Sequence, residues 1–419
     1  MARKARALMV QGTGSNVGKS LLVAGLCRAA RNRGFRVLPF KPQNMSSQAV
    51  RMVDGALIGS AQALQARACG VIPQPEMNPV LLMPRSDTGA QVLVRGRLWC
   101  ETEAVSYGAL KRQLAGVVQE NFASLRSEAD LVLVEGAGSP AEVNLRQNDI
   151  ANMGFARASD VPVVLLGDID RGGIIAQLVG TQAVLDPKDA AMIEGFIINR
   201  FRGNPRLFDD GYRLIEARTG WPGFGVVPWF ADAALLPAED TQSLASAAQH
   251  LRPQPGATRI ACLALSRLTG LDTLDPLRLE PSVELLLVEA GTPLPADVAA
   301  VILPDSCAPE SDLAFLNAQG WAVDLAAHHR RGGRIFALGE GAGLARRALA
   351  PLLATLDAIE LLPADTDFSN DEFRAAWLQT LGVAPDARPY NQRIERVLDT
   401  LAAHLEAHLD VDALLALAR

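Results

Sequence analysis

The chain is poor in aromatic residues, thiols and imidazoles: 5% of its 419 residues are aromatic, with three Tyr, five Cys and five His. The cysteines, Cys27, Cys69, Cys100, Cys262 and Cys307, are widely scattered. Neither a zinc site of close cysteine pairs nor a disulfide framework is expected, and they read as reduced, mostly buried thiols. A formal charge of -6 leaves no basic footprint for nucleic acid, so an anionic ligand must be held by local groups. No apolar run approaches the roughly 18 residues that would span a bilayer. The basic N-terminus passes straight into a strand, without the apolar core of a signal peptide. The expectation is a cytoplasmic protein with no nucleic-acid or membrane partner.

What is present is apolar sequence in short pieces. With 49% apolar and 21% charged residues, the composition is that of a compact α/β protein, and the length suits about two domains. Ala7 to Val10, Val37 to Phe40, Leu131 to Val134, Pro162 to Leu166 and Phe196 to Ile198 read as buried strands separated by helix-length segments. That rhythm belongs to a mostly parallel sheet covered on both faces, whose ligands sit beyond the strands' carboxyl ends. A run rich in Ala, Ser, Gln and Pro from Thr241 to Thr258 reads as a linker. A second rhythm follows, with strands at Ile260 to Leu265, Val283 to Val288, Val301 to Leu303 and Ile335 to Leu338. The expected division is 1–240, a linker at 241–257, and 258–419. Arg393 to Leu417 has helical spacing, with a break expected near Asp410.

Polar clusters fall where strands stop. Gly12-Thr13-Gly14-Ser15-Asn16-Val17-Gly18-Lys19-Ser20 follows a strand and opens a helix, the context of a phosphate-binding loop. Thr13 stands where the usual spacing has the first glycine, with Gly12 one residue earlier. Backbone N–H groups and the helix N-terminus would receive phosphate, Lys19 would neutralise charge, and Ser20 would bind Mg²⁺. Lys41 ends the second strand, within reach of a transferring phosphoryl group. Glu135 and Asp54 are candidates to complete a Mg²⁺ shell with Ser20. After Glu135, the segment to Gly154 packs Glu142, Asn144, Arg146, Asn148, Asp149 and Asn152 into one loop and helix start, costly unless a ligand satisfies them. Asp168-Ile169-Asp170-Arg171-Gly172-Gly173 forms a further cluster at the same sheet edge.

GTGSNVGKS, KPQNMS, AQALQARACGVIPQPEMNPVLL, EGAGSPAEVNLRQNDIANMG, DIDRGG, INRFRGN and LLPAEDT together resemble the cobyric acid synthase family, densely from about Leu8 to Thr241. The resemblance implies a dethiobiotin-synthetase-like P-loop domain followed by a class I glutaminase-like domain. It also implies ATP-dependent amidation of the b, d, e and g carboxylates of adenosylcobyrinic acid a,c-diamide through acyl phosphates. Lys19, Lys41 and Glu135 would be catalytic, with ATP and Mg²⁺ as cofactors. Gln43, Asn44, Asn144, Arg146, Asp149, Asn152, Asp168, Asp170 and Arg171 are the corrinoid-site candidates.

The second half departs from that family. Its nucleophilic cysteine falls at Gly339 and its histidine at Asp365, and the run between Ala345 and Asp365 is shorter than usual. Cys307, in LPDSCAPES, has no histidine placed to activate it. Leu57, Ser60 and Met83 replace charged family residues, which puts corrinoid binding in question. The leading expectation is therefore an amidoligase using free ammonia or ammonia from a separate supplying protein, with a homo-oligomer allowed. Its alternative is a degenerate homologue that binds nucleotide or corrinoid as a scaffold or regulator. A partition-type P-loop ATPase ranks third, disfavoured by the missing basic surface.

Overall fold

A computed structural model of the chain describes residues 4–52, 54–85, 89–237, 255–269, 271–353, 359–362, 366, 368–386 and 388–419. Most of the expected linker and Asp365 lie outside the described residues. The first half is built on six parallel strands in the order Gly223–Pro228, Ile193–Phe201, Val163–Asp168, Arg6–Gly12, Leu131–Glu135 and Val37–Phe40. Parallel strands need crossovers, and helices cover both faces as a consequence. On one face Val132, Val134, Phe40 and Phe155 pack with Val118, Phe122 and Leu125 of the long helix Ala104–Glu128. The rings of Phe40, Phe122 and Phe155 lie 5.0–5.6 Å apart there. On the other face Leu131 and Leu133 meet Leu22, Val23 and Leu26 of the helix Lys19–Asn32.

This alternation positions the site. Side chains along a strand point to opposite faces with period two. Because Leu131 and Leu133 face the helix Lys19–Asn32, Glu135, two residues further on, faces it too.

Between the second and third sheet strands the chain makes an antiparallel meander that the sequence did not announce, Val80–Pro84, Gly89–Val94 and Arg97–Glu103, with Gln43–Met45 added parallel to its first strand. The second half is a five-stranded parallel sheet in the order Val283–Val288, Thr258–Leu263, Ala300–Leu303, Arg334–Ala337 and Ile359–Leu361, with its own core around Trp321, Phe336 and Trp377.

The closing helix, expected with residues 258–419 as part of the second half, joins the core of the first. Ile394, Val397, Leu398, Leu401 and Leu405 of Tyr390–His408 pack on the helix Lys19–Asn32. Gly25 permits this approach: a Cβ there would lie 2.4 Å from Leu405 Cδ1 and 3.0 Å from Leu401 Cγ. Arg28 pairs with Glu395 at 2.5 Å and Asp399 at 3.2 Å, and Arg67 reaches Glu395 at 2.9 Å. The expected break falls at Leu409–Asp410, where Asp410 accepts the N–H of Ala413 at 2.9 Å and starts Val411–Leu417. The truncation Leu401→Ala removes a side chain that is 1% exposed and is expected to cost about 2–5 kcal/mol, measured by urea unfolding.

Candidate functional site

The phosphate loop joins the central strand to the helix Lys19–Asn32. A Cβ on Gly12 would sit 2.6 Å from Val17 Cγ2 and 2.8 Å from Lys19 Nζ, so glycine is required here, one residue before the usual position. Asn16 and Gly18 take the left-handed conformation, with φ of 58° and 94°. Gly18 caps the helix without a side-chain hydrogen bond, leaving the first-turn N–H groups for an anion. Three bonds fix the loop from outside: Thr13 N–H to Leu166 O at 2.9 Å, Asn199 Nδ2 to Val17 O at 2.8 Å, and Arg200 Nη1 to Asn16 O at 2.7 Å. Gly14 O accepts from Lys19 Nζ at 2.8 Å, and Ser15 borders the cleft beside it.

Four elements converge on Glu135, which is 1% exposed. Its Oε1 accepts from Lys41 Nζ at 2.6 Å and Ser20 Oγ at 2.8 Å, and its Oε2 from Gln65 Nε2 at 2.6 Å and Gln62 Nε2 at 3.3 Å. Burial alone would raise the Glu135 pKa. The Lys41 ammonium, hydrogen bonds from Lys41 and Gln65, and the charge of Lys19 outweigh burial and hold the carboxyl below its ordinary range. Lys19 Nζ also reaches Gly138 O at 3.1 Å, tying the phosphate loop to the segment after Glu135.

These groups open into a cavity of about 1740 Å³ along the carboxyl edge of the sheet, larger than the about 300–1,000 Å³ of an ordinary small-molecule pocket. Asn144 lines it from an exposed single turn, and Gln43 and Asn44 line it from the strand after Lys41. Gln43 accepts from Tyr107 at 2.8 Å, and Asn44 donates to Gln62 at 3.2 Å. Asp168 is 2% exposed, pairs with Arg200 at 2.8 Å and lies 3.8 Å from Arg171. Asp170 pairs with Arg202 at 2.6 Å, which, despite some desolvation, keeps its pKa low.

Arg146, Asp149 and Asn152 line the same cavity and also hold their own loop in place. Arg146 grips the buried Asp189 through two nitrogens at 2.5 and 3.0 Å, and Arg157 binds the same carboxylate. Asp149 accepts the N–H groups of Ala151, Asn152 and Gly154 at 2.8–3.0 Å and so caps the helix Met153–Ser159. Asn152 clamps Ala137 through both its N–H and its carbonyl. Their polar atoms have protein partners, so their place at the cavity, rather than unmet polar groups, is what marks Asp149 and Asn152 as candidates. Asp54 is displaced from the metal site: it caps Ala56 N–H at 3.0 Å and pairs at the surface with Arg97 at 3.2 Å. Ser60, Leu57 and Met83 do not border the cavity. Ser60 is buried at a helix start, while Leu57 and Met83 pack with Leu81, Leu93 and Cys307 in an apolar seam between the two halves.

The sequence reading missed Gln62 and Gln65, whose signal was two amides three apart on a helix beside the phosphate loop. It also missed Ser266 and Arg267, residues of the second half that line the cavity of the first.

In the second half, Gly339 follows the strand Arg334–Ala337 in a left-handed turn, with φ of 47°. The Asp305 carboxylate occupies the space beside it: a Cβ at 339 would lie 2.5 Å from Asp305 Oδ1. That oxygen accepts the N–H of Glu340 at 2.9 Å and of Ser306 at 2.8 Å. Burial raises the Cys307 pKa despite nearby Arg85 and Arg267. His328 meets Arg334 O at 3.2 Å, at the opposite end of the strand from Gly339, and burial lowers its pKa.

A family profile described as "CobQ/CobB/MinD/ParA nucleotide binding domain" matches residues 8–244, and one described as "CobB/CobQ-like glutamine amidotransferase domain" matches 259–386. The class is thus a P-loop nucleotide-binding unit joined to an amidotransferase-like unit, as the fold class read from the sequence implied. Cobyric acid synthases of Bradyrhizobium diazoefficiens, Rhodobacter capsulatus and Paracoccus denitrificans are 51%, 50% and 51% identical to it, each over 99% of this chain and 100% of the relative. The chain belongs to the cobyric acid synthase family, and with it to the ligases of cobalamin biosynthesis. The alignment with the Bradyrhizobium protein spans 486 positions, so at least 67 of them lack a residue of this 419-residue chain. No helix among the described residues is long and apolar enough to cross a membrane.

The Glu135 cluster generates a pH test. Since the folded pKa is depressed below the unfolded value of about 4.3, its stabilisation is fully present above that value and is lost as pH falls through the folded pKa. Glu135→Gln should destabilise the protein at pH 7, toward the lower end of the about 3–5 kcal/mol of a broken buried pair, because Lys41 borders an open cleft. Urea midpoints of the two proteins should converge as pH falls below about 4.3 and through the lower folded pKa.

Proposed function

We propose that the chain uses ATP to activate carboxylates of a corrinoid, the b, d, e and g groups of adenosylcobyrinic acid a,c-diamide, and amidates them with ammonia that it does not itself release from glutamine. The observation carrying this reading is the convergence of Lys19, Lys41 and Ser20 on Glu135 at the mouth of a cavity far larger than a nucleotide alone requires. A carboxylate is a poor electrophile, and its acyl phosphate is a good one. The protein's task is to position the two reactants and stabilise transferring charge.

Within that task the chain's groups divide the work. The helix N-terminus after Gly18 and the Lys19 ammonium bind phosphate oxygens, and Lys41 faces the charge that moves during transfer. Ser20 Oγ and Glu135 Oε1, 2.8 Å apart, fit the two-oxygen protein share of a Mg²⁺ shell, which takes its remaining ligands from phosphate and water. When bound, Mg²⁺ would supply charge neutralisation between phosphate groups. Glu135 is kept ionised for that purpose by Lys41 and Lys19. Asp54 takes no part.

The second unit supports an external ammonia source. A thioester needs a thiol at the strand-to-helix turn and free N–H groups for the oxyanion. Here the turn carries Gly339, and the Glu340 N–H is already bound by Asp305. We read the division as 1–240 for the synthetase, 241–257 for the linker and 258 to about 386 for the amidotransferase-like part, with the closing helices returned to the synthetase, in a cytoplasmic enzyme fed by free ammonia or by a separate protein. Association into a homo-oligomer is compatible with this reading.

The test supplies Mg-ATP and the corrinoid diamide with either ammonium or glutamine, and follows phosphate release and product mass. Amidation is expected with ammonium and not with glutamine. Lys41→Ala should lower turnover about 10²–10³-fold, the scale of one lost charge-stabilising donor, with a smaller change in nucleotide affinity. Gly339→Cys alone should not confer glutamine use, because Asp305 fills the space of the new side chain. Glutamine use by the wild-type chain would sink the reading of the second unit, and absence of corrinoid-dependent turnover in both arms would return the scaffold alternative.

A further inference from the structure

We propose that Arg267, carried by the second unit, holds a carboxylate of the substrate inside the cavity of the first, so that the amidotransferase-like unit works as a wall of the synthetase site. The inference rests on the corrinoid reading above and adds a specificity-determining residue to it.

Ser266 and Arg267 line the same cavity as Lys19 and Glu135, although they belong to the loop after the second unit's strand Thr258–Leu263. That loop is held with unusual firmness. Asp312, fully buried, accepts from Ser266 Oγ at 2.6 Å and Arg267 N–H at 3.0 Å through one oxygen, and from Ser306 Oγ at 2.6 Å through the other. Cys307 N–H donates to Arg267 O at 3.1 Å, and Leu268–Thr269 pairs antiparallel with Asp305–Ser306. A buried carboxylate is costly to maintain unless fully hydrogen-bonded. Here it is fully used to fix a loop that borders the cavity.

The loop is also fixed to the first unit. Gln48 Nε2 donates to Leu268 O at 2.8 Å, beside Ser46 and Ser47 of the cavity lining. The apolar seam of Leu57, Leu81, Met83 and Leu93 with Cys307 lies next to it. The backbone that carries Arg267 is therefore fixed at the cavity wall without a ligand to order it, and such preorganisation lowers the cost of binding.

The chemistry of the substrate supplies the need. A polycarboxylate presents one group to the phosphoryl end at a time, and its other carboxylates enter the cleft charged. Arginine is the side chain whose planar fork matches a carboxylate through two parallel hydrogen bonds. An arginine acting only as a bolt between units would be indifferent to how many carboxylates the corrinoid carries. One that holds the substrate would not be.

That difference is the test. Equilibrium binding of the corrinoid diamide, and of the same corrinoid with its four side chains already amidated, is measured for wild type, Arg267→Ala and Arg267→Lys. Thermal unfolding and ATP affinity are recorded alongside. Wild type is expected to prefer the carboxylate form, and Arg267→Ala to bind that form about 10- to 100-fold more weakly, as for a lost charge-assisted bond. The amidated form should be far less affected, and lysine should restore part of the loss. Unchanged diamide binding in Arg267→Ala, or equal loss for both corrinoids, would overturn the assignment. If wild type binds neither corrinoid, it is the corrinoid reading itself that fails.

Discussion

One buried carboxylate organises the functional edge of this molecule. Glu135 is surrounded by apolar sheet and helices, and its desolvation is opposed by Lys41, by two amides and by the charge of Lys19. Each partner arrives on a different element: Lys41 after the edge strand, Ser20 on the helix after the phosphate loop, Gln62 and Gln65 on the helix Ser60–Cys69. The ion pair is thus also the joint at which four elements are brought into register. A buried charge of this kind is weak evidence for stability as such, since an apolar replacement of both partners can be as stable. Its retention is better explained by chemistry, because a carboxylate and a hydroxyl 2.8 Å apart beside a phosphate loop are of direct use to a phosphoryl-transfer site.

The remainder of the first half holds the helix that carries Lys19 and Ser20. Its inner side packs on the sheet, and its outer side receives the closing helix through Gly25. Arg419 pairs by its backbone with Ala7 of the central strand, at 2.8 and 3.2 Å, and its carbonyl accepts from Arg126. The central strand is thus held at its amino end by the last residue of the chain, while the helix that follows the phosphate loop is held between the sheet and the closing helix, a restraint suited to a loop that must present backbone N–H groups with little reorganisation.

The parallel strands were legible because strands buried on both faces leave continuous apolar runs, and Leu131 to Val134 is such a run. The phosphate loop and Glu135 were legible because polar residues at the ends of such runs have few structural explanations. The meander of residues 80–103 was not, since its second and third strands are half exposed and mix Arg, Gln and Glu with apolar residues. Asp149, Asn152 and Arg146 do border the cavity, but the polar density that pointed to them has a second origin: such a loop can satisfy itself through caps and clamps as well as through a ligand, and sequence does not distinguish the two. Periodicity likewise showed that Arg393 to Leu417 is helical while saying nothing about which core its apolar face would join. Leu57 and Met83 read as lost charges, whereas in space both belong to the apolar seam that includes Cys307.

Gly339 and Asp305 hold the turn of the second unit at which the resemblance places the glutaminase nucleophile. With any larger residue at 339 the Asp305 carboxylate could not occupy its present position, and Glu340 N–H would lose its acceptor. With glycine there, Asp305 binds the turn, and its backbone pairs with Thr269 in the loop that bears Arg267. Ser306, the next residue, donates to Asp312, which in turn accepts from Ser266 and from the Arg267 N–H. A continuous set of hydrogen bonds therefore runs from the turn at Gly339 to the loop that lines the cavity of the first half. Glycine at 339 thus leaves room for the carboxylate that starts this set of bonds, and through it the turn of the second unit is coupled to the cavity of the first.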